Sequence, residues 1–345
     1  MSWPVNSYNY KVVSQDQTNT GANTPVINHY AKPLPDTDTL KLSTKKQNKS
    51  NKNCLALITG ALITGATIIA LIAKGGKGHS GVLTEAENKI VDTLIKKGKF
   101  DPQYKEMFIK IRNLEGKDFV NSAYELMVEH LGYKECSPEL SIEKLPTQSN
   151  IFQSLPGIIT INENRLATDN KQEILASIWH EFKHFVQYSD IARTEDLGTE
   201  EIARINTKNY IKNLSTNEEL CQKEFGCSFK EMPPFGLEYF EKLKTEEYLQ
   251  SMNIDLYEKV KAKKGIIKAG TEEAQKSHGY IKAKGESVDL SNILQNGKRK
   301  EDFTEEEWKL IDVYLNNPME KEAYEIGDKI ESQFETFLNA LNKIN

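Results

Sequence analysis

The stretch 178-IWHEFKHFVQ-187 sets His180 and His184 four residues apart around Glu181, in a chain with only six histidines. Imidazoles at i and i+4 of one helix stand a turn apart on one side and can converge on a single tetrahedral cation. A carboxylate next to the first of them can take a proton from a water that the ion activates. The pattern therefore points to zinc, with His180 and His184 as ligands and Glu181 as general base. Helical phase separates this pair from an ordinary core. At about 100° per residue, Ile174, Leu175, Ile178, Phe182, Phe185 and Val186 share an arc of roughly 120°. His180 and His184 fall opposite it, about 40° apart. Lys183, in the interior of the motif, is expected to snorkel outward.

A catalytic zinc takes three protein ligands and a water. No third histidine follows within a dozen residues of His184. His29, His79, His130 and His278 lie in no helpful pattern. The segment 316-NNPMEKEAYEIGDKI-330 offers Glu320, with Ala323 and Gly327 one and two turns on along the same side. Met319, Ile326, Ile330, Phe334 and Phe337 form the adjoining apolar stripe. Small residues at those points let two helices approach closely, which would carry Glu320 to the histidine pair. Glu322 is the neighbouring alternative, but its phase turns it away from the stripe.

Together, a strand at 157–163, HEFKH followed by Phe185 and Gln187, and the distant Asn-Pro-x-Glu-x-Glu-Ala-Tyr resemble the gluzincin type of zinc metallopeptidase. The resemblance covers about 150–163, 170–189 and 316–331. It implies His180, His184 and Glu320 as zinc ligands, Glu181 as general base, and a peptide or protein substrate. Strand 157–163 is expected to hold that substrate in extended form by edge pairing. An oxyanion donor is still needed. Tyr324, one turn after Glu320, is a candidate, with His278 and Tyr280 in 277-SHGYI-281 as alternatives.

The elements that must position these groups read as an α+β, mostly helical fold. It is expected to be a zincin-like metallopeptidase core with a small edge sheet. Thr84 and Glu87 make a capping box before 85-EAENKIVDTLIKKG-98. Amphipathic segments follow near 102–113 and 118–131, then a loop punctuated by Pro138 and Pro146. The β-branched run 157-GIITINENRL-166 predicts a strand. Asp169 and Gln172 suit the cap and third residue of the histidine helix. Residues 199–285 predict helices broken at Gly226, Pro233–Pro234, Gly265 and Gly270. The last helix spans about Pro318 to Leu341, with proline in its first turn. The catalytic domain is then 84–345, with 190–315 as a helical insertion or lid.

The N-terminal quarter reads differently. Residues 1–53 are polar and aperiodic and predict a disordered tail. The uncharged run 55-LALITGALITGATIIALIA-73, within a 54–74 segment, reaches roughly 28 Å as a helix and predicts one transmembrane span. It begins too far from Met1 for a cleaved signal peptide. Ala61 and Gly65 permit a transmembrane homodimer. Residues 75–83 form a Gly-rich linker. Lysines 45, 46, 49 and 52 precede the span, which favours a cytoplasmic N-terminus and an extracytoplasmic catalytic domain. Net charge is −5 over 345 residues with pI near 5.8, which argues against a nucleic-acid binder. Cys54, Cys136, Cys221 and Cys227 form no CxxC pair. Cys221 and Cys227 could bridge in an oxidising compartment, but two free half-buried thiols are the simpler expectation. The expected activity is membrane-anchored zinc endopeptidase. Its rivals are a membrane-tethered zincin-like scaffold without turnover, and a secreted effector whose apolar run enters a target membrane.

Overall fold

The computed structural model describes residues 81–144, 151–154, 157–232, 234–287, 290 and 303–343. The tail at 1–53, the span at 54–74 and most of the 75–83 linker lie outside them. Among the described residues no helix is long and apolar enough to cross a membrane.

The chain is mostly helical with one small sheet. Helix α1 (Glu85–Lys96) opens on the expected capping box. The Thr84 amide donates to Glu87 at 2.7 Å, and the Glu87 amide donates back to the Thr84 hydroxyl at 3.2 Å. A short 3-10 turn (Pro102–Tyr104), α2 (Lys105–Ile111) and α3 (Gly116–His130) follow. Strands β1 (Glu139–Glu143), β2 (Ile151–Ser154) and β3 (Ile158–Asn162) form the sheet. The chain continues through α4 (Lys171–Arg193), α5 (Gly198–Thr216), α6 (Glu218–Phe225), α7 (Pro234–Ser251), α8 (Ile254–Lys264) and α9 (Glu272–Gly285). Helices α10 (Glu305–Leu315) and α11 (Pro318–Leu341) close the fold. The interruptions foreseen at Gly226, Gly265 and Gly270 are real, and the last helix has the expected bounds.

The sheet corrects one expectation. Its order is β1-β3-β2, with β1 parallel and β2 antiparallel to β3. The strand foreseen at 157–163 is therefore central, and its two edges are already paired. It cannot hold a substrate by edge pairing. The outer strands are β1, where a loop was expected, and β2, which packs on α4.

Helix α4 is the centre of the domain. Its cap is Asn170 and not Asp169: the Asn170 side chain accepts from the Glu173 amide at 2.8 Å. Asp169 is instead paired with Arg165, one turn before it. On one side Ile174, Leu175, Ile178, Phe182 and Phe185 enter the main core with Phe108, Phe119, Phe334 and Phe337. Each such buried side chain contributes about 1.5–3 kcal/mol. Further along, Tyr188, Ile191 and Ala192 join a second cluster with Ile202, Tyr257, Tyr280 and Met319. The 190–315 region thus begins while α4 is still running and packs against its C-terminal half. Cys221 and Cys227 are not joined by a disulfide, and Cys136 is in none either.

Candidate metal centre

Helix α11 makes the most extensive helix contact of α4. It can do so because of small residues. Ala323 is fully buried, and a Cβ added to Gly327 would meet the Ala176 carbonyl oxygen at 3.1 Å and the His180 Cβ at 3.8 Å. The start of α11 is fixed as well. Asn317 caps it by accepting from the Met319 amide at 3.0 Å, and its Nδ2 donates to the Ala283 carbonyl at 2.7 Å. These contacts seat Glu320, in the first turn of α11, against the opposite face of α4 from the main core.

There the three ligand atoms meet. The Nε2 atoms of His180 and His184 are 3.2 Å apart. Glu320 Oε2 lies 3.5 Å from the first and 3.3 Å from the second. Tetrahedral bonds of about 2.0–2.1 Å separate ligand atoms by about 3.3 Å, so the triangle has the size that a small tetrahedral metal ion requires. His180, His184 and Glu320 are all buried, and among the described residues they form the group able to hold a metal ion. Glu320 Oε2 is within ion-pair range of both rings yet at hydrogen-bond geometry with neither. A buried carboxylate oxygen without a well-formed hydrogen bond is costly, and a positive charge held among these three groups, an imidazolium proton or a metal ion, relieves it. Burial would by itself favour the neutral forms of His184 and Glu320. The pairing overrides it: Glu320 lifts His184 to about 9, and the two imidazoles hold Glu320 far below the usual carboxylate range.

Glu181 is 1% exposed, and its charge acts on His184, Tyr314 and Tyr324. Tyr324 stands edge-on to His180 with ring centroids 4.5 Å apart. Its hydroxyl is buried with no hydrogen-bond partner among the described residues. Burial pushes that hydroxyl well above its ordinary range, and Glu320 and Glu181 add to the shift. Tyr324 therefore sets its ring against His180 and carries a protonated O–H that no described residue accepts from. The alternatives for that task are engaged elsewhere: His278 is half-exposed and pairs with Asp196 at 3.1 Å, and Tyr280 donates to Glu322 at 2.8 Å.

Glu322 is indeed turned away from the ligands, but it is not idle. It pairs with Lys183 at 2.9 Å and with Lys276 at 3.1 Å. Lys183 therefore does not snorkel outward; it crosses to α11 and ties the histidine helix to the glutamate helix. Burial opposes ionisation of Glu322, and these partners overcome it, holding its carboxyl at about 2.

Tyr314 of α10 escaped the sequence reading. It is buried within hydrogen-bonding reach of Glu320, and burial together with the Glu320 charge keeps its hydroxyl protonated. Nothing local marks Tyr314, because its role depends on α10 docking against α11. Set against known proteins, the chain matches no family model, no curated protein and no solved structure.

Gly327 gives a direct test of the close packing. Replacing it by Leu forces α11 away from the Ala176 carbonyl. We expect destabilisation of about 1–3 kcal/mol in metal-free thermal unfolding, with weakened metal binding because Glu320 moves with the helix. Unchanged stability and affinity would count against the packing argument.

Proposed function

We propose that this chain is a zinc-dependent metallopeptidase of the gluzincin type. The observation that carries the reading is the buried triangle of His180, His184 and Glu320 with Glu181 beside it. Bound zinc would polarise the scissile carbonyl and make water nucleophilic at neutral pH. The two histidines and Glu320 would hold the ion. Glu181 accepts a proton from the attacking water and returns it to the leaving amine, so that peptide and water yield an acid and an amine. The Tyr324 hydroxyl donates to the oxyanion as charge develops on the carbonyl oxygen. Of the sheet's outer strands, β2 is the one against α4, which supports it as the edge that pairs with an extended substrate. We further propose that residues 55–73 anchor the protein in a bilayer, with the N-terminus cytoplasmic and the catalytic domain on the far side.

The test is cleavage of a mixed peptide library by the purified full chain. Hydrolysis should appear with zinc, stop on chelation and return on adding zinc back. Zinc binding without any cleavage would favour a zincin-like scaffold that lacks turnover.

A further inference from the structure

Gln187 follows His184 by three residues on α4, so the two side chains share a helix face. It is fully buried, and both ends of its amide are engaged. Its Nε2 donates to the backbone carbonyl of Met319 at 3.0 Å, and its Oε1 lies 2.9 Å from His184 Nδ1. Met319 immediately precedes Glu320.

The carbonyl of Met319 can only accept, so it fixes which way the amide faces. Nε2 must point to Met319 and Oε1 to His184. An amide oxygen can only accept in turn, so the proton of the neutral imidazole must sit on Nδ1. The lone pair is then left on Nε2, the atom that faces His180 Nε2 and Glu320 Oε2. A single backbone oxygen thus determines, through one side chain, the tautomer of a metal ligand on another helix.

We propose that Gln187 is a positioning residue that sets the tautomer and angle of His184 and couples them to the start of α11. The inference rests on the metal-site reading. Two substitutions separate this role from mere packing. Gln187→Met fills similar volume and offers neither hydrogen bond. Gln187→Glu keeps an acceptor for Nδ1 but sets a buried charge near the Met319 carbonyl.

Zinc affinity of the full chain is measured by competition with a chromophoric chelator, beside metal-free thermal unfolding and the ligand-field spectrum of the cobalt-loaded protein. Gln187→Met should lower zinc affinity by about 10–100-fold and alter the cobalt spectrum. Gln187→Glu should recover most of the affinity and the wild-type spectrum even where its metal-free melting temperature is the lower of the two. A packing role requires the reverse order, and that order overturns the proposal. So does a Gln187→Met variant that binds zinc as tightly as wild type. If Gln187→Met does not fold, Gln187→Asn, whose amide is one methylene short, takes its place with the same expected loss. Wild-type protein that takes up no zinc would overturn the metal reading itself. Wild-type binding with unaffected variants would overturn only the role of Gln187.

Discussion

Replacing Glu181 by Gln should leave zinc bound and lower peptide hydrolysis by about 10²–10⁴-fold. The two outcomes separate because Glu181 is not among the three converging ligand atoms. The amide is close to isosteric and stays on the same buried turn of α4. It cannot accept a proton from water at neutral pH, so the step assigned to the carboxylate is lost. The measurement is kcat with a cleaved library peptide, together with zinc content of the same preparation. Full activity in Glu181→Gln would remove the general-base assignment. Lost zinc would mean that the carboxylate acts on the ligands and not on water.

Replacing Glu320 by Ala should lower zinc affinity by roughly 10²–10³-fold. Structural zinc sites are worth about 10–16 kcal/mol over four ligands, or on the order of 3 kcal/mol for each. The same substitution should act on the metal-free protein. Burial alone disfavours the imidazolium, and the Glu320 anion is what raises His184 to about 9. Without it, the pKa of His184 should fall, as read from its imidazole NMR shifts across a pH titration. The sign for stability follows. A raised histidine contributes stability that is fully present below its unfolded value near 6.5 and is lost as pH climbs through about 9. Zinc competes with that proton, so wild-type affinity should increase with pH across the same range. An affinity that ignores pH, or that Glu320→Ala leaves intact, would argue for a site elsewhere.

Much of the centre could be read before any coordinates, because each part leaves a periodic trace. The histidines fall opposite an apolar arc, and Glu320 shares a face with Ala323 and Gly327. Two helices that use such faces have few ways to pack, and the observed contact through Gly327 and Ala176 is one of them. What escaped depends on partners distant in sequence. Lys183 reads as a solvated lysine until α11 brings Glu322 to it. Gln187 does carry a trace, the i, i+3 spacing to His184, but its second partner is a backbone carbonyl, which no side-chain pattern reveals. Strand β1 lies just after Pro138 and has only Leu140 and Ile142 to mark its alternation, and β2 is four residues long. Both are too short for a period to stand out. Missing them hid the fact that β3 is the middle strand.

The central claim is that two imidazoles and one carboxylate, brought together from two helices, bind one zinc ion. Zinc K-edge absorption on protein reconstituted with one equivalent tests it most directly. The expected spectrum has two imidazole nitrogens and remaining oxygen scatterers at about 2.0–2.2 Å, with no sulfur shell. Protein that retains no zinc, or a spectrum unchanged when His180 and His184 are both replaced, would contradict the account.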